Sequence, residues 1–64
     1  MIFRESIFVT GFPGFIAGRL VERLAKSETQ FFLLVQSEFV EKAMEEITEI
    51  ADFTSTPLES YVIV

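Results

Sequence analysis

The segment Thr10-Gly11-Phe12-Pro13-Gly14-Phe15-Ile16-Ala17-Gly18 carries the most specific chemistry in the chain. Gly11 suits the positive-φ geometry of a backbone turning tightly out of a strand. Gly14 has no Cβ, so an anion can approach the main chain there, and Ala17 suits close contact between a helix and a sheet. The amides of the first helical turn would then point at that anion, aided by the helix dipole. The chemistry is phosphate or pyrophosphate binding, with Thr10, Gly11, Phe12, Pro13, Gly14, Phe15, Ile16 and Ala17 as candidate residues. Nothing comparable points to catalysis. The chain has neither His nor Cys, which removes the imidazole base, the thiolate nucleophile and any zinc site built on sulfur. No Lys-Ser or Lys-Thr follows the glycines, so the turn is not a Walker-type loop.

Such a turn needs a strand before it and a helix after it. Ser6 to Thr10 is apolar, β-branched or aromatic at most positions and reads as a strand buried on both faces. Pro13 disfavours helical geometry at Phe12 and suits a helix start. The spacing predicts a helix from about Gly14 to Lys26, with Ile16, Leu20 and Leu24 in one stripe and Ala17 and Val21 beside it. Arg19, Glu22, Arg23 and Lys26 fall on the opposite side. Ser27 to Gln30 reads as a polar connection, and Phe31 to Val35 as a second strand buried on both faces. Ser37 is placed to cap a second helix, along which Val40, Ala43, Met44, Ile47, Ile50 and Ala51 recur at helical spacing. Glu38 and Lys42 have the order of a favourable i,i+4 pair. Phe53 to Ser60 reads as a loop, and Tyr61 to Val64 opens a third strand. The pattern is β-α-β-α-β, which predicts an α/β fold with a three-stranded parallel sheet in the order 3-2-1.

Composition bounds the rest. A chain of 64 residues makes one small domain, and one that buries only about 60% of its unfolded surface. Half the residues are hydrophobic, with eight Phe, which argues against disorder. The net charge of −5 and five scattered basic residues argue against a nucleic-acid partner. The acidity gathers in Glu38, Glu41, Glu45, Glu46, Glu49 and Asp52, which read as a solvated helix face and not as metal ligands. Gly11, Pro13 and Gly14 interrupt the apolar stretch after Arg4, so it does not read as a signal peptide, and no segment reaches a membrane span. The expected location is cytoplasmic.

The run T-G-F-P-G-F-I-A-G-R-L-V-E-R-L resembles the amino-terminal fingerprint of the extended short-chain dehydrogenase/reductase family. That fingerprint is T-G-x-x-G-F-[IL]-G followed by an L-V-E-[RK]-L helix. Gly11, Gly14 and Phe15 match it, and Ala17 replaces the third glycine. The resemblance covers the whole chain, residues 1–64, as the amino-terminal half of an NAD(P)-binding Rossmann domain. It implies a truncated domain whose parent protein is an NAD(P)-dependent oxidoreductase. F-F-L-L-V-Q-S is similar to the branch that reduces fatty acyl or carrier-bound thioesters, so the parent's reaction would be reduction of a carbonyl or thioester.

Gln36 stands where an acid would select NAD and an arginine NADP. The resemblance tilts the choice toward NADP, and Gln36 does not support either form. Ser37 falls beside it and could also reach the adenosine ribose. In the family, hydride transfer is assisted by a Tyr-x-x-x-Lys pair. Tyr61 is the one tyrosine, no Lys follows it, and it reads as a strand aromatic. No catalytic residue is therefore expected here. The chain stops within an apolar strand, as expected of a piece of a longer domain. An alternative is a structural fragment that forms a homodimer through the bare edge of its first strand.

Overall fold

The computed structural model describes residues 3–64. Strands β1 (Glu5–Val9), β2 (Thr29–Leu33) and β3 (Tyr61–Ile63) alternate with helices α1 (Phe15–Leu24) and α2 (Val40–Thr54), giving a small α/β fold. The strands form one parallel sheet in the order β1-β2-β3, the expected order read from the other edge. Ile7 and Phe8 lie opposite Phe31 and Phe32, which in turn lie opposite Tyr61 and Val62. Among the described residues no helix is long and apolar enough to cross a membrane.

β2 begins earlier than its apolar run suggests. Thr29 and Gln30 belong to the strand, not to the connection before it. Thr29 is fully buried, and its hydroxyl is satisfied by donating to Glu5 Oε1 at 3.1 Å. A buried polar group with a partner costs little, so the ladder extends through it.

The core lies on one side of the sheet only. Val9, Phe31, Leu33, Val35 and Tyr61 meet Val21 of α1 and Ala43, Ile47, Ile50 and Ala51 of α2. Phe31 and Tyr61 stack with their rings 5.6 Å apart and nearly parallel. The alternate row, Phe8, Phe32 and Val62, faces away, and Phe8 is 60% exposed. The expected burial of the strands on both faces is therefore corrected. Successive crossovers of one hand, stepping in one direction across the sheet, put both helices on the same face.

The buried face of α1 also differs from the expected stripe. Gly18 and Val21 are buried, with Ala17 and Ala25 partly so, while Ile16 is 81% exposed and Leu20 and Leu24 are exposed as well. The helix presents its smallest residues to the sheet and to α2, where Gly18 lies against the Glu46 carboxylate. Burial raises the Glu46 carboxyl above the usual carboxylate range, Glu49 adds to this, and Lys42 opposes it.

α2 is entered through a 3-10 turn, Ser37–Phe39, and not through a Ser37 side-chain cap. The Phe39 N–H donates to the Gln36 carbonyl at 2.9 Å, and the Val40 N–H donates to the Ser37 carbonyl. The main chain of Ser37 performs the capping its hydroxyl was expected to supply. Glu38 and Lys42 do not pair; among the described residues the ion pair formed is Arg4 with Glu28 at 2.8 Å. At its other end α2 runs to Thr54, further than its apolar repeat suggests. Ser55 adopts the left-handed conformation there, and its N–H and that of Thr56 satisfy the last carbonyls. A second 3-10 turn, Leu58–Ser60, leads into β3.

Candidate phosphate and nucleotide site

The site begins where β1 ends. Gly11 has φ +79, a conformation that side chains with a Cβ adopt rarely, and it reverses the chain. Phe12 then turns inward and is almost fully buried, anchoring the loop to the core. Gly14 has ordinary extended backbone, φ −176 and ψ 157. Its requirement for glycine is spatial: a Cβ there would lie 2.6 Å from the Gly11 carbonyl oxygen. The second glycine thus closes over the first.

α1 starts at this point with no side-chain cap and no acidic residue in its first turn. The Gly18 N–H reaches the Gly14 carbonyl at 2.8 Å and makes the first helical bond. The amides of Phe15, Ile16 and Ala17 precede that bond and have no place in the helical ladder. Free N–H groups at the positive end of a helix whose first turn holds no acidic side chain are suited to receive an anion.

Two cavities flank the turn. One, of about 240 Å³, is lined by Gly11, Phe12, Pro13, Leu34, Gln36 and Phe39 and lies between the carboxyl ends of β1 and β2. The other, of about 470 Å³, lies on the outer side of α1 against Val9, Thr10, Gly11, Gly14, Phe15, Ile16, Ala17 and Leu20. The candidate residues are thereby divided. Phe12 and Pro13 are brought to Gln36; Thr10, Gly14, Phe15, Ile16 and Ala17 line the outer cavity; and Gly11 borders both. Ser37 lines neither.

Two residues of the inner cleft, Leu34 and Phe39, carry no signal in the glycine spacing. Phe39 is 45% exposed and offers an aromatic wall. The available sign was the Gln36-x-x-Phe39 interval, since residues three apart eclipse one another in a 3-10 turn.

Close packing of α1 falls on Gly18, which is fully enclosed, more than on the half-buried Ala17. Tyr61 is a core residue. Its hydroxyl lies 2.5 Å from Thr56 Oγ1, near the carboxyl end of α2, and its ring is stacked on Phe31. No protein-family model, curated protein or solved structure matches the chain.

Proposed function

We propose that this chain is the dinucleotide-binding amino-terminal half of a Rossmann-type domain, and that its parent protein is an NAD(P)-dependent oxidoreductase reducing a carbonyl or thioester. The observation that carries the reading is the uncapped start of α1, set directly behind a glycine turn in which position 14 admits no Cβ. In an open parallel sheet, ligands bind in the crevice outside the carboxyl ends of the strands. The inner cleft lies there, and it joins the glycine turn to Gln36 about twenty residues downstream. In this reading the pyrophosphate sits on the amides of Phe15, Ile16 and Ala17. The adenosine ribose sits by Gln36, with Phe12 and Pro13 shaping the loop between them. The sequence resemblance supplies the nicotinamide identity of the ligand. Hydride chemistry would come from the cofactor's nicotinamide, and this segment contributes binding and orientation only.

The test is a titration of the full chain with NAD and NADP, following backbone amide shifts by NMR. Saturable shifts centred on Gly11, Gly14, Phe15 and Gln36 are expected. A well-dispersed spectrum that neither nucleotide moves would overturn the proposal.

A second reading is favoured by the outer edge of β1, which pairs with no strand among the described residues, and by the apolar row of Phe8, Phe32 and Val62 on the uncovered face. A second copy pairing there would cover the edge and part of that row. Light scattering decides it: a doubled mass is expected for this reading, and a monomer at high concentration rejects it.

A further inference from the structure

We propose that two copies of this chain join across the outer side of β1, and that the α1 flank formed by Ile16, Leu20 and Leu24 packs there against its own equivalent. This rests on and deepens the second reading above, which names the strand edge alone. The edge and the helix flank lie on one side of the molecule, because the outer cavity is lined by Val9 and Thr10 together with Ile16 and Leu20. Leu24 continues that row one turn further along the helix. All three side chains of the row are exposed. Free strand edges are commonly guarded by charge, proline or a bulge. From Ser6 to Val9 there is neither charge nor proline, and the one charge of β1, Glu5, is turned to the Thr29 hydroxyl.

A second copy is the occupant that fits. The Leu34 N–H donates to the Val9 carbonyl and the Glu5 N–H to the Glu28 carbonyl, so alternate residues of β1 turn their main-chain groups toward β2. Those of Ser6 and Phe8 face outward, where no strand answers them among the described residues. A two-fold axis normal to the sheet sets β1 antiparallel to itself, and the same rotation sets α1 antiparallel to itself on the covered face. An apolar row with a period of four is then its own complement: Leu20 meets Leu20, and Ile16 meets Leu24. Pairing of two short strands alone is marginal; the helix row adds a contact about 12 Å long. A standard interface takes about 800 Å² from each partner, roughly a fifth of this chain's 4479 Å², so the contact belongs to the small, reversible kind. The net charge of −5 and the exposed Arg19 and Arg23 beside the row oppose association, and added salt should tighten it. The inner cleft lies on the other side of the glycine turn and stays open.

Sedimentation equilibrium of the full chain at moderate salt should show a monomer–dimer equilibrium with a dissociation constant on the order of 10 μM. Leu20→Glu, at an exposed position, should weaken it roughly tenfold or more with unchanged far-UV circular dichroism, because a carboxylate would be buried unpaired. Phe8→Pro should do the same, since the Phe8 N–H lies outside the ladder with β2 and proline is tolerated on an edge strand. Phe53→Glu, at an exposed position of α2, should leave the equilibrium unchanged. Amide hydrogen exchange gives a readout that needs no variant: Ser6 and Phe8 should be protected in a millimolar sample and exchange freely in a micromolar one. A monomer at millimolar concentration would overturn this inference and the edge reading with it. A dimer that keeps its affinity in folded Leu20→Glu would overturn this inference and leave the edge reading standing. A dimer that Phe8→Pro does not weaken, or that Phe53→Glu weakens equally, would overturn both.

Discussion

Replacing Phe31 by alanine is expected to leave the chain largely unfolded at 25 °C. Phe31 sits in the central strand, is fully buried, and stacks against Tyr61. Truncating a buried Phe to alanine costs about 3–5 kcal/mol, because transfer free energy is lost and a cavity is left behind. A chain of this length has a total stability on the order of 3–10 kcal/mol, and this sheet is covered on one face only. One covered face places this chain toward the low end of that range, where the loss consumes most or all of what is available. Far-UV circular dichroism and urea unfolding check it, with Phe8→Ala as the control. Phe8 lies in the neighbouring strand beside Phe32, on the uncovered face, and its truncation should change stability by no more than about 0.5 kcal/mol. A cooperative transition for Phe31→Ala near that of the unaltered chain would show that the core is not organised around this residue.

The contrast between Phe8 and Phe31 also shows where the sequence is legible and where it is not. Both belong to continuous apolar runs, and such runs identify a strand without saying which of its faces is covered. That depends on how many helices exist and on which side their connections place them, a property of the whole topology. Element type and order could be read, α2 from its 3.6-spaced apolar residues and β2 from a short continuous apolar run. The rotation of α1 could not. Ile16, Leu20 and Leu24 are its most hydrophobic stripe, yet the helix turns Gly18 and Val21 inward. The small residues of α1 meet the sheet and α2, and which flank of a helix the rest of the fold covers is not written in the spacing of its own side chains. At the site, the glycine spacing was legible since turn geometry and Cβ exclusion are local. The contribution of Phe39 depends on a 3-10 turn that no capping residue announces, and in that turn the Ser37 carbonyl, not its hydroxyl, accepts the Val40 N–H.

Gly14→Val is expected to abolish dinucleotide binding, and Gly14→Ala to weaken it by roughly tenfold or more. The backbone angles of Gly14 suit any residue, so conformational strain is not the cause. The cause is a Cβ placed 2.6 Å from the Gly11 carbonyl oxygen. That oxygen belongs to the main chain of a residue already held at positive φ, so it cannot swing aside as a side chain would. The turn must open instead, moving the Gly14 carbonyl that accepts the first helical bond and the three amides beside it. Overpacking of this kind costs about 1–3 kcal/mol in stability, so the loss of affinity should be accompanied by a lower urea midpoint. Gly18→Ala separates this effect from a general intolerance of larger residues. Its Cβ would meet the Glu46 carboxylate, the far end of a flexible side chain that can move toward solvent. Alanine also favours a helix interior over glycine by about 1 kcal/mol, so stability should change little and binding not at all. If Gly14→Val binds as well as the unaltered chain, the phosphate does not sit at this turn. If Gly18→Ala loses binding as severely as Gly14→Ala, affinity depends on the packing of α1 against α2 and not on the geometry of the glycine turn.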